Sequence, residues 1–84
     1  MHYVYTLKSE YDHELYIGRT NDLKRRLKEH NNNESFATSF RTPRTLRYYE
    51  AYADERDAVR REKALKRRGN ALRFLKERVS FSLQ

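Results

Sequence analysis

The stretch His2-Tyr3-Val4-Tyr5-Thr6-Leu7-Lys8, followed after the polar run Ser9 to His13 by Glu14-Leu15-Tyr16-Ile17-Gly18, decides the fold. Both segments are rich in aromatic and β-branched residues, which suit a pleated, half-buried surface, and they read as strands. The connection is short enough for them to pair antiparallel as a hairpin. A sheet that begins this way needs a covering layer. Asn21 or Asp22 can cap a helix, because a short side-chain oxygen accepts from the free amides of the first turn. That helix runs to about Asn31. The segment from there through Thr42 reads as an irregular polar loop, with Phe36 and Phe40 as candidates to pin it to the core. After Pro43, Thr45 to Tyr52 alternates as a third strand. Asp54 is the expected cap of a second helix from about Glu55 to Arg68, and Gly69 stands where a helix C-terminus favours positive φ. Asn70 to Arg78 reads as a third, short helix with Leu72, Leu75 and Val79 at helical spacing. The order β-β-α-β-α-α gives an α/β (α+β) fold, a small three-stranded antiparallel or mixed sheet flanked by helices. One domain over residues 1–84 is expected, with its core at about 2–78 and a tail at 79–84 that frays unless Phe81 or Leu83 docks.

The chain has 84 residues, 19 Lys and Arg against 12 Asp and Glu, a formal charge of +7 and no cysteine. So short a chain builds one modest core. Without Cys, disulfide staples, thiolate metal sites and a Cys nucleophile are excluded. His2, His13 and His30 show no close ligand spacing. No apolar stretch approaches the roughly 18 residues that span a bilayer, and the N-terminus does not read as a signal peptide. A cytoplasmic protein, with no membrane partner, is expected. Residues 1–55 carry nine cations and nine anions, whereas residues 56–78 carry ten cations and three anions, so the whole excess lies in one C-terminal third. A field this uneven suggests a polyanionic partner such as nucleic acid, or an anionic membrane surface; the plainer reading is a solvated helix face.

Two helices hold charge where their pattern calls for apolar residues. Leu23 and Leu27 mark the inward face of the first, yet Arg26 and His30 fall on or beside that stripe. Ala58, Val59 and Leu65 mark the inward face of the second, and Glu62 falls among them. A charge held at a sheet surface is costly unless it is paired or used. Arg26 and Glu62 therefore either form a partly buried salt bridge with each other or point into a shallow polar site together with tyrosines leaving the strands.

Tyr3-Val4-Tyr5, then Tyr16-Ile17-Gly18 about ten residues on, then Arg26 ten after Tyr16, resembles the GIY-YIG nuclease superfamily. Arg19 directly after the second motif, His30 four after Arg26, Thr38, Arg41 and Pro43 before the third strand, and Arg61-Glu62-Lys63 followed by Leu65-Lys66 are similar to the small stand-alone bacterial members. The first motif lacks its Gly and Ile and keeps Tyr5. Asn70 lies only eight residues beyond Glu62, and the role of the late Asn of larger family members is not assigned to it.

The resemblance implies hydrolysis of a DNA phosphodiester with one divalent ion, Mg²⁺ or Mn²⁺, so DNA is the expected partner. It makes Glu62 the metal ligand, Arg26 the fork on the scissile phosphate, Tyr5 the first choice for general base with Tyr16 second, and His30 the group that orients the base or relays its proton. A phenol with a pKa near ~10 serves as a base only if cations such as Arg19 or Arg26 depress that value. Arg41, Arg60, Lys63, Lys66 and Arg67 are the candidate phosphate contacts. Gly18 allows close approach of a backbone or phosphate, or simply ends a strand. Such nucleases usually join this module to further DNA-binding domains, so a protein partner supplying specificity is expected. Two other readings stand beside this one. The first is a non-catalytic nucleic-acid-binding module using the basic helices of residues 56–78. The second is a basic face for an acidic protein or membrane surface.

Overall fold

Alternation along the first strand sorts its side chains onto two faces of a sheet, and each face acquires its own helical layer. The structure is a computed structural model and describes residues 1–31 and 43–84; Phe36, Thr38, Phe40 and Arg41 lie outside the described residues. In chain order the elements are β1 (His2–Ser9), β2 (Leu15–Thr20), α1 (Leu23–Asn31), β3 (Arg44–Tyr52), α2 (Glu55–Lys66) and α3 (Asn70–Arg78). This is the α+β order read from the sequence. The sheet order is β2-β1-β3 and both pairings are antiparallel, so β1 is central and β2 is an edge strand.

Val4 and Ile17 share one sheet face and meet Ala58 and Leu65 of α2 and Leu72 and Leu75 of α3, with Tyr48 and Tyr52 packed against them. Tyr5 and Leu7, also buried, point to the opposite face, which carries α1. β3 changes parity partway along. Thr6 faces Tyr48, but Leu7 faces Leu46, so Arg47 is an extra residue in a bulge. The bulge moves Leu46 and Arg44 onto the α1 face, where strict alternation from Tyr48 would have put them on the other.

The caps follow local chemistry. Asp22 caps α1, its Oδ1 accepting from Arg25 N at 3.1 Å, and Asp54 caps α2 by accepting from Arg56 N at 2.8 Å. α2 ends at Lys66, shorter than expected. The left-handed residue that follows it is Arg68, with φ 55°, whereas Gly69 has φ −102° and precedes α3. An arginine tolerates this costly backbone because its Nη2 donates to Leu15 O at 3.0 Å, tying the helix end to β2. Leu23 and Leu27 are only half-buried; the fully buried residue of α1 is His30. In the tail, Phe81 is 85% exposed while Leu83 is half-buried and accepts from Lys8 Nζ at 2.8 Å, so Leu83 is the residue that docks. No described helix is long and apolar enough to cross a membrane.

Candidate active site

Tyr5 lies at the centre of a buried polar cluster on the α1 face. Its Oη is 2.9 Å from His30 Nε2 and accepts from Arg26 Nε at 3.3 Å. In the tautomer with the His30 proton on Nδ1, the Tyr5 O–H donates to Nε2. The ring reaches this position by lying across Gly18, its cross-strand partner; a Cβ there would sit 2.4 Å from Tyr5 Oη. Gly18 thus lies inside β2, and its missing side chain makes room for a tyrosine of this chain. The Tyr16 ring stands edge-on to His30 with centroids 5.0 Å apart, and the Arg44 guanidinium lies 5.4 Å over the Tyr16 ring.

Burial sets the protonation states of this cluster. It pushes Tyr5 up to about 12, and the opposing hydrogen bond from Arg26 does not offset it. The condition set for Tyr5 as a simple base, a phenol depressed by nearby cations, is therefore not met. Burial, helped by the charges of Arg26 and Arg44, pulls His30 down to about 4, so the imidazole is neutral at pH 7. Arg26 is raised above its ordinary value, first by the hydrogen bond to Tyr5, and stays charged.

Glu62 approaches from the other sheet face. Its Oε1 lies 3.3 Å from Arg19 Nε and its Oε2 3.0 Å from Lys66 Nζ, while Arg26 pairs with Glu29 at 3.1 Å. Arg26 and Glu62 therefore do not pair with each other, which overturns the salt-bridge reading. The two halves join around the free edge of β2. One polar groove of about 340 Å³ is lined by both Arg19 and Arg26, with Asn21, Arg25, Glu29 and Glu55. Glu62 is near enough for its charge to raise Tyr5. A single carboxylate with water and phosphate oxygens suits a hard octahedral ion, and no group of three or more His, Cys, Asp or Glu able to cage a metal exists among the described residues.

The structure thus brings Tyr5, Tyr16, Arg26 and His30 together and sets Arg19, Glu62 and Lys66 beside them. Lys63 is exposed on the flank of α2 that carries Glu62. Arg60 and Arg67 are exposed but fall nearly opposite the buried Ala58, pointing away from the groove. Arg41 lies outside the described residues. Three participants escaped sequence reading. Arg44 was hidden by the bulge, and Glu55 is recognisable only as the second partner of Arg19, at 3.3 Å. Glu50 accepts from Arg61 Nε at 2.9 Å and Nη2 at 3.0 Å, from Tyr48 at 2.8 Å and from Tyr52, which fastens α2 to β3 on the side away from Glu62.

This is a polar cluster on a small antiparallel sheet, and comparison identifies the family. A model of the GIY-YIG catalytic domain matches residues 1–76, and the chain belongs to that family, which implies a nuclease-type function. The UPF0213 protein of Halobacterium salinarum is 39% identical over 72 residues, covering 84% of this chain and 92% of that protein. The UPF0213 protein of Bacillus pumilus is 44% identical over 62 residues, 73% of this chain but only 62% of that protein, under two thirds of its length. A UPF0213 protein of Staphylococcus aureus is 36% identical over 80 residues, 92% of this chain and 96% of that one. No solved structure matches the chain.

Proposed function

We propose that the chain is a cytoplasmic, metal-dependent endonuclease module that hydrolyses DNA phosphodiester bonds with one Mg²⁺ or Mn²⁺ ion held by Glu62. The observation that carries this reading is Tyr5 Oη, bound to Arg26 Nε and His30 Nε2 at 3.3 and 2.9 Å and electrostatically coupled to Glu62. Arg26 holds the scissile phosphate; its fork is permanently charged, so lysine is a poor substitute. A divalent ion bound by Glu62 supplies positive charge to the phosphoryl oxygens and acidifies water.

A phenol with a pKa of about 12 is protonated at neutral pH, so Tyr5 acts as a base only if its own proton leaves. His30 Nε2 is the acceptor in place. As Tyr5 Oη takes a proton from the attacking water, the Tyr5 proton passes to His30, and one proton moves at each oxygen and nitrogen. His30 resists protonation through burial and the charges of Arg26 and Arg44. A phosphate arriving at Arg26 cancels part of that repulsion, which makes the relay competent when substrate is present. A protein partner supplies target choice in this account.

The test is cleavage of branched, flap, single-stranded and duplex DNA across a titration of Mg²⁺ and Mn²⁺, with Glu62→Ala and Arg26→Ala alongside. The wild type cuts at least one substrate, and both variants lose cutting while retaining a cooperative melt. A wild-type protein that binds DNA and cuts none of them with either metal overturns the reading. The exposure of Arg60, Lys63 and Arg67 favours a second reading, a binding module without catalysis. Under it, charge reversal at Arg60 and Arg67 removes salt-sensitive DNA binding and Glu62→Ala changes nothing.

A further inference from the structure

Both carboxylate oxygens of Glu62 carry a cation of the chain itself, and the two cations are held in different ways. Arg19 stands on β2 and is shared, its Nε 3.3 Å from Glu62 Oε1 and its Nη1 3.3 Å from Glu55 Oε2. Two carboxylates fix it. Lys66 lies one turn after Glu62 on α2, its side chain is 52% exposed, and its Nζ at 3.0 Å from Oε2 makes its one ion pair among the described residues. A lysine this exposed, paired across one helical turn, is weakly held. Lysine also presents a compact, strongly hydrated charge on a flexible stem, unlike the planar fork of arginine.

We propose that Lys66 holds the metal's place on Glu62 and moves to a DNA phosphate when substrate arrives, so that divalent metal and DNA bind this site with positive coupling. The proposal rests on Glu62 being the metal ligand. Arg19, Arg25 and Arg26 with Glu29 and Glu55 line the groove, and Glu62 with Lys66 adjoins it through Arg19, four cations against three anions in contact pairs. A divalent ion entering alone must displace an ammonium and leaves the cluster with three uncompensated positive charges. One entering with DNA comes with phosphate anions, and the released Lys66 finds a phosphate oxygen within the sweep of its stem. By linkage, metal tightens DNA by the factor with which DNA tightens metal.

The test reads binding, not turnover. Mn²⁺ affinity is measured without DNA, by electron paramagnetic resonance of the free ion, for the wild type, Lys66→Gln, Lys63→Gln and Glu62→Gln. The wild type binds weakly, and Lys66→Gln binds about tenfold more tightly, as removal of a contacting charge predicts. Lys63→Gln, which removes a neighbouring charge that does not touch Glu62, changes affinity by about twofold or less. Fluorescence anisotropy with a labelled phosphorothioate oligonucleotide then shows Mn²⁺ tightening DNA binding in the wild type, and less so in Lys66→Gln. Equal affinities for Lys66→Gln and Lys63→Gln overturn the place-holding role and leave the nuclease reading standing. Mn²⁺ binding that is the same in Glu62→Gln as in the wild type overturns Glu62 as the ligand, and the proposal with it.

Discussion

Glu50 and Glu62 are two half-buried glutamates at opposite flanks of α2, with side chains 14% and 18% exposed, and they are coordinated differently. A carboxylate has about four lone-pair sites. Glu50 fills them with two hydrogen bonds from Arg61 and one each from Tyr48 and Tyr52. Burial pulls its pKa up, but Arg61 and the two hydroxyls outweigh that and hold it below its ordinary value. Glu62 has two contacts, at 3.3 and 3.0 Å, one of them to a half-exposed lysine. Similar burial thus yields two kinds of acid. The saturated one rivets α2 to β3 and has nothing left to offer a ligand; the under-coordinated one is available. Arg61 and Glu62 are neighbours in sequence and straddle the buried ridge of Ala58 and Leu65. The rivet on one flank therefore sets the rotation that aims Glu62 at β2.

That contrast can be broken most forcibly by removing each acid in turn and measuring urea denaturation. Glu50→Ala leaves the Arg61 guanidinium and two tyrosine hydroxyls without their acceptor and costs about 3 kcal/mol. Glu62→Ala costs about 1 kcal/mol or less, in keeping with its weakly held partners. Equal losses would erase the distinction.

A second way to sharpen it sets these charged acids against His30, which is buried uncharged. Its folded pKa of about 4 lies below the ordinary value of 6.5, so the unfolded chain binds the proton more readily. Stability is therefore fully present above about pH 6.5 and is lost as pH falls towards about 4, by on the order of 3 kcal/mol. Urea midpoints from pH 7.5 to 4.5 show this slope in the wild type and a flatter one in His30→Gln. A wild-type profile without the slope contradicts the buried neutral imidazole.

The two glycines differ in the same way, one crowded and the other open. Gly18→Ala puts a Cβ 2.4 Å from Tyr5 Oη and forces the ring aside, costing about 2 kcal/mol and separating Tyr5 from His30 and Arg26. Gly69→Ala meets nothing within 4 Å at a negative φ, and its cost is that of a poorer N-cap before α3, on the order of 0.5–1 kcal/mol, read as a small shift of the melting midpoint.

Much of this was legible in the sequence because it depends on local pattern. Aromatic and β-branched composition in residues 2–8, alternation in residues 45–52, and cap candidates at Asn21 or Asp22 and at Asp54 carry the β-β-α-β-α-α order. The charged residues on otherwise apolar stripes, Arg26, His30 and Glu62, mark the candidate site. What the sequence hid depends on register or on distant partners. The bulge at Arg47 reverses parity and carries Arg44 to the α1 face. Tyr5 crosses Gly18 because of cross-strand pairing, and no local feature of Gly18 reveals it. Glu50 meets Arg61 only once α2 has folded back on β3, and Arg68 takes the left-handed turn expected of Gly69 because Leu15 O lies within its reach. The direction of the Tyr5 pKa stayed open in the sequence because burial, which sequence does not report, outweighs the nearby guanidinium.

The most direct measurement is single-turnover DNA cleavage by Glu62→Gln beside the wild type in saturating Mn²⁺, with the folded fraction of each fixed by its melting curve. The account predicts that the variant melts like the wild type and cleaves about 1,000-fold more slowly, equivalent to about 4 kcal/mol of lost transition-state stabilisation. A folded Glu62→Gln protein that cleaves at the wild-type rate would contradict it.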